Sequence, residues 1–147
     1  MKLRSKAFLI AATLFTSFTA VAQEKVLEIN QLPNKAQSFI KDYYQQEKIS
    51  LVSSDKEFFT GTEYKVIFQN GTEVEFDSKG NWTEVDAKLK AVPQKLIPTP
   101  IVNYVNQKFP NNQIVQINKE NKEYEIELTS GIDLIFNSKG EFLRIDD

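Results

Sequence analysis

The 147-residue chain contains no histidine and no cysteine. Without imidazole it lacks the one side chain whose ordinary titration falls near neutral pH, and the commonest metal ligand with it. Without a thiol it has no cysteine nucleophile, no soft metal ligand, no disulfide and no lipid-acceptor sulfur. Basic charge is also in short supply, with 18 Lys and Arg against 20 Asp and Glu. That balance argues against nucleic acid, whose phosphates require a clustered basic surface. Long apolar runs are missing after the first two dozen residues, so nothing later approaches a membrane span.

What is present begins with a leader. Lys2, Arg4 and Lys6 precede an apolar run through Phe18, which closes on Ala20-Val21-Ala22. This reads as a secretory signal peptide over residues 1–22, cleaved after Ala22, rather than an uncleaved anchor. Thr13, Thr16, Ser17 and Thr19 break the run, which is short for a span. The 125 residues that remain carry 15 basic and 20 acidic groups, a net charge of −5. The expectation is an exported protein, periplasmic or secreted, with no membrane contact after cleavage. Its stability must come from its core, to which the aromatic residues contribute large buried areas.

Residues 23–30 form a lead-in whose Val26, Leu27 and Ile29 pack at an edge. Leu32-Pro33 opens a helix, and Ala36, Phe39, Ile40 and Tyr43 supply one apolar stripe. A strand is predicted at 49–52 and a loop at 53–61, the latter carrying Phe58 and Phe59, either folded onto the core or exposed to a partner. Beyond them, residues 64–82 alternate apolar and polar side chains between glycines. Parity fixes the register: a three-residue turn, Gln69-Asn70-Gly71, places Val66 opposite Val74 and Tyr64 opposite Phe76, with Gly71 in the left-handed position. A second turn, Ser78-Lys79-Gly80, sets Phe76 opposite Trp82.

The same pattern returns after the proline-bearing segment 87–96. Ile101, Tyr104, Val105 and Phe109 repeat the helix stripe, 114–117 the strand, and 124–142 the two hairpins. The copies differ by five residues, assigned to an insertion around Phe58-Phe59. The divisions are therefore a first repeat over 23–86, a linker over 87–96 and a second repeat over 97–147. Each is a helix followed by four strands, burying one sheet face under its helix.

The order Leu-Pro, helix, Tyr-x-Val-x-Phe, Asn-Gly, Val-x-Phe-Asp, Gly-Asn-Trp, then a second Ile-Pro copy, resembles the beta-lactamase-inhibitor-like, PepSY-like periplasmic family common in Bacteroidota. The resemblance covers nearly all of the chain after the leader; residues 76–82 and 124–142 are its most specific parts. It implies an α+β fold of two tandem helix-plus-four-strand antiparallel repeats, similar to beta-lactamase inhibitory protein, forming one curved sheet with the helices on one face. It implies no inhibitory residues, because no inhibitory loop motif is recognisable.

Chemistry for catalysis is thin. Ser78-Lys79 and Ser138-Lys139 sit in turns whose shape already explains them. Asp77 and its counterpart Asn137 suit turn capping better than calcium binding. No cofactor or metal set is expected. The informative surface is the second face of the sheet, expected to present Lys65, Ile67, Glu73, Glu75, Thr83 and Val85 in the first copy. In the second it presents Glu125, Glu127, Asp133, Ile135, Leu143 and Ile145. A solvated face is the plain reading; the sharper one is a partner-binding site in which acids ring an aliphatic cluster at Ile135, Leu143 and Ile145. The expected function is a non-enzymatic protein-binding module, in its most specific form an inhibitor of a secreted or periplasmic enzyme. A small-ligand or peptide carrier is the alternative.

Overall fold

Among the described residues nine strands pair in the order in which the chain makes them, giving one open antiparallel sheet. They are β1 (Lys25–Val26), β2 (Ile49–Glu57), β3 (Gly61–Phe68), β4 (Glu73–Phe76), β5 (Trp82–Asp86), β6 (Ile114–Glu120), β7 (Glu123–Leu128), β8 (Asp133–Asn137) and β9 (Phe142–Asp146). Helix α1 (Asn34–Tyr44) intervenes between β1 and β2, and α2 (Thr99–Lys108) between β5 and β6. This computed structural model describes residues 24–57 and 61–146. The expected leader over residues 1–22 and the Phe58-Phe59 pair lie outside the described residues.

Helix α1 starts behind Pro33, whose fixed φ suits the position before a first turn. It buries Ala36, Phe39, Ile40 and Tyr44. The expected Tyr43 is instead 37% exposed, while Tyr44 at the end of the helix is buried against Phe68. Phe39 meets Phe76 edge to face at 5.5 Å, and Tyr44 stacks on Phe68 at 4.9 Å. In α2, Tyr104 makes the same edge contact with Phe136 at 5.4 Å and stacks on Phe142 at 4.7 Å. Ring pairs of this kind contribute roughly 0.5–1.5 kcal/mol beyond the apolar area they bury. A single core cluster takes in both helices and Val66, Val74, Val85, Ile117, Ile126 and Leu134 from the sheet.

The parity-derived turns are present. Tyr64 pairs with Phe76, Val66 with Val74 and Phe76 with Trp82. The Phe68 N–H donates to the Thr72 carbonyl at 2.9 Å, and Gly71 takes φ +89. In the second turn the Asp77 carboxylate accepts from the N–H groups of Lys79 and Asn81, each at 2.9 Å. Asn137 does the same for Lys139 and Glu141. Burial alone would raise the Asp77 carboxyl, but the Asn81 and Lys79 donors outweigh it and hold the carboxyl below its ordinary range.

Three expectations need correction. The segment predicted as a loop over 53–61 is mostly strand, since β2 runs to Glu57 and β3 starts at Gly61. The β2–β3 hairpin is paired out to Glu57 and Gly61, where β6–β7 stops at Glu120 and Glu123, and the expected five-residue insertion falls in this longer hairpin. The lead-in contributes a ninth strand, with Lys25 and Val26 paired to Ser54 and Ser53. Finally, β5 and β9 each carry one extra residue against their partners, so alternation fails within them. The segment between the halves is held down: the N–H groups of Ala87 and Val92 donate to Val115 and Ile114, both at 2.8 Å.

Candidate functional site: the open side of the sheet

Side chains that point away from the core line up in rows across the strands, because directly paired residues share a side. One row runs Glu73, Asp86, Gln116, Glu127, Asp133 and Asp146. The next runs Lys65, Glu75, Glu84, Asn118, Glu125, Ile135 and Arg144. Carboxylates therefore sit opposite carboxylates at Glu75–Glu84, Glu73–Asp86, Glu127–Asp133 and Asp133–Asp146. Like charges so placed destabilise a sheet unless something answers them.

In the first half, cations do. Lys65 Nζ lies 2.7 Å from Glu75 and 3.6 Å from Glu73. Lys88 Nζ lies 3.1 Å from Glu73 and also binds Asp86. The hydrogen bond to Glu75 raises the Lys65 ammonium above its usual range, against the opposing effect of burial. Glu84 receives Gln116 Nε2 at 2.9 Å and Asn118 Nδ2 at 3.3 Å. Burial, then the negative charge of Glu75 and Asp86, pushes its carboxyl upward.

In the second half the balance is different. Arg144 reaches Glu123 at 3.3 Å, while Glu127, Asp133 and Asp146 form no ion pair among the described residues. Glu125 is pushed up by burial and then by Asp133 and Asp146. This half of the face is a strip of carboxylates on adjoining strands, able to hold ammonium or guanidinium groups from outside.

The residues predicted for the site divide. Glu125, Glu127 and Asp133 are on the open side, with Glu125 opposite Ile135 and Glu127 opposite Asp133 as the parity argument required. Ile135 is there too but only 4% exposed, so it is not an exposed anchor. Leu143 is the extra residue of β9, and Ile145 pairs with Leu134 on the core side. The expected aliphatic cluster of Ile135, Leu143 and Ile145 therefore does not form. Thr83 is the corresponding extra residue of β5, and Val85, fully buried, faces Val74. Sequence reasoning missed the four charged residues that take these places: Glu84, Asp86, Arg144 and Asp146.

Two other features bear on function. A cleft of about 370 Å³ between the end of α1 and the 87–96 segment is lined by Tyr43, Tyr44, Glu47, Asn70, Thr72 and Lys90 among others. The Tyr44 hydroxyl, buried with no hydrogen-bond partner, is pushed upward by burial and then by Glu47. Ser78, Lys79, Ser138 and Lys139 are all exposed turn residues. Among the described residues no helix is long and apolar enough to cross a membrane.

Comparison with known proteins bears on the whole sheet. A family model described as "Putative beta-lactamase-inhibitor-like, PepSY-like" matches residues 62–144. No curated protein matches the chain. Among solved structures, a "putative calcium-regulated periplasmic protein" of Bacteroides thetaiotaomicron is 38% identical with a TM-score of 0.81, covering 84% of this chain and 97% of that one. A "putative periplasmic protein" of Bacteroides vulgatus is 35% identical with a TM-score of 0.79, over 84% and 97% of the two chains. A second periplasmic protein of Bacteroides vulgatus, described as of unknown function, is 34% identical with a TM-score of 0.81, over 85% and 100%.

Proposed function

We propose, from the premise that this chain belongs to the beta-lactamase-inhibitor-like, PepSY-like family, that it is a non-enzymatic module that binds a basic protein partner through the open side of its sheet. It is a periplasmic or secreted protein, in keeping with its structural relatives. The single observation carrying the binding role is the strip Glu127, Asp133 and Asp146, three carboxylates on neighbouring strands with no ion pair among the described residues. Lys65 and Lys88 offset the equivalent charges in the first half. Keeping like charges together costs stability, a cost that a cationic partner would offset. Inhibition of a secreted or periplasmic enzyme is the finer form of this role.

The same proposal treats the chain as a leader over 1–22, two tandem repeats over 23–86 and 97–147, and a linker over 87–96, with both helices on one side of a curved sheet. The recurrence of the Phe39–Phe76 contact as Tyr104–Phe136 supports that division. Calcium regulation, which belongs to one relative's description, is not carried over. Among the described residues no three Asp or Glu side chains converge closely enough to hold a metal ion.

Capture from a periplasmic extract tests the binding role. The wild-type chain should retain a basic protein in a salt-sensitive way, and Glu127→Lys with Asp133→Lys should abolish that retention. Retention unchanged by the double reversal would refute it. The carrier reading rests on the orphaned Tyr44 hydroxyl beside the α1 cleft. A small molecule that raises the melting temperature of wild type but not of Lys90→Ala or Asn70→Ala would favour it.

A further inference from the structure

The sheet has two ends, and they are unlike. At one end β1 is two residues long and covers only part of β2. At the other, β9 offers five residues whose outer edge pairs with nothing among the described residues. An exposed edge is a template for another strand, and proteins usually blunt it with proline, bulges or inward charge. Strand β9 carries one such bulge, at Leu143, yet Leu143 and Ile145 remain 46% and 50% exposed along this edge.

We propose that two copies of the chain join edge to edge through β9, antiparallel and related by a two-fold axis at Ile145. The charge sequence of the strand selects this occupant and this register. Arg144 and Asp146 flank Ile145 and both lie on the open side, opposite Ile135 and Asp133 respectively. Centred on Ile145, the pairing sets Arg144 of each copy against Asp146 of the other, twice over, with the two Ile145 side chains meeting on the core side. Moving the axis to Arg144 would oppose arginine to arginine, and moving it to Asp146 would oppose aspartate to aspartate. A shift of half that step would put the open side of one copy against the core side of the other. Only the Ile145 register is complementary in both charge and side.

The pairing also answers a cost inside each copy. Asp146 lies directly opposite Asp133 and forms no ion pair among the described residues. Arg144 of the second copy would bring a cation beside it. The Arg144 side chain is 52% exposed, and among the described residues its ion pair is with Glu123 at 3.3 Å. Apolar area at Leu143 and Ile145 would be removed from water in the same step.

Sedimentation over a concentration series tests this on the chain purified from the periplasm. The wild type should pass from monomer to dimer. Arg144→Asp and Asp146→Arg should each weaken the dimer at least about tenfold by opposing like charges, and the two together should restore it. A wild type that stays monomeric overturns the proposal, as do single variants that dimerise like wild type or a double swap that fails to recover. Thermal melting checks that each variant folds. If a charge variant does not, Ile145→Lys decides alone at its half-exposed site: a folded monomer supports the pairing and a folded dimer overturns it.

Discussion

Leu134 and Ile145 face each other across β8 and β9 on the core side of the sheet, the one fully buried and the other half exposed at the edge. Their pairing requires that Leu143 be an extra residue with no partner of its own, and Thr83 holds the same position in β5. These two bulges decide which side chains the open face presents. They turn Glu84, Asp86, Arg144 and Asp146 outward.

The bulge in β5 is tested by a pair of identical substitutions. Strict alternation would put Thr83 and Val85 on one side, so aspartate would be tolerated equally at both. The observed register makes Val85→Asp bury a charge in the core, at a cost of about 3 kcal/mol or more, while Thr83→Asp stays within about 1 kcal/mol. Urea unfolding of the two variants reads the difference.

Two glycines with nearly the same backbone should behave differently. Gly80 and Gly131 have φ of +80 and +76, so any side chain there meets the left-handed penalty of about 1–2 kcal/mol. A Cβ on Gly131 would meet nothing within 4 Å, whereas one on Gly80 would lie 2.7 Å from Pro33 Cβ and 3.1 Å from the Ala36 nitrogen. Gly80→Ala should therefore lower the melting temperature well below Gly131→Ala, because it also pushes α1 off the sheet. Equal losses would refute the close approach.

Glu84 gives a pH signature. Its folded carboxyl is raised above the unfolded value, first by burial and then by Glu75 and Asp86. A raised carboxyl favours the fold while protonated, and that favour is lost as pH climbs through the folded value. At neutral pH ionised Glu84 is thus a net cost. Glu84→Gln, which keeps an acceptor for Gln116, should be more stable than wild type at about pH 7 and gain nothing at about pH 4. The gain should stay under about 1 kcal/mol, since water still reaches the site. A loss at neutral pH would sink this account.

Trp82 is half-buried, with Phe39 at 6.3 Å and Lys119 Nζ 3.8 Å from its ring centre. Trp82→Ala should cost about 2–3 kcal/mol, below the value for a fully enclosed ring. It should also change the titration of Lys119, whose ammonium is held below its ordinary range by burial, partly offset by Asp77. Relief of burial raises the Lys119 value and loss of the cation–π contact lowers it, so a rise in an NMR titration of the lysine side chains shows that burial dominates there.

The helices, the two glycine turns and the pairings across them were legible because each depends on local spacing. The stripes recur every three or four residues, and the turns need glycine at one fixed place. The open face was misread at β5 and β9, though the chain carries the signal. Counting strictly by twos from Trp82 assigns Glu84 and Asp86 to the core and leaves Val85 outside, and from Phe142 it does the same to Arg144 and Asp146. Charges assigned to a core are themselves evidence of a bulge. The length of β2 was hidden by Ser53, Ser54, Asp55 and Lys56, polar residues that resemble a loop until β1 and β3 pair with them.

The join between the halves has a mechanical consequence. Strands β5 and β6 pair through Glu84–Asn118, Val85–Ile117 and Asp86–Gln116, burying Val85 and Ile117 completely. Leu89, at the tip of the segment that follows β5, is 92% exposed. A protease that cuts there severs the covalent link and leaves the ladder intact. The two fragments should travel together on a gel-filtration column and separate only in denaturant, as two pieces of a zipper whose teeth are still engaged.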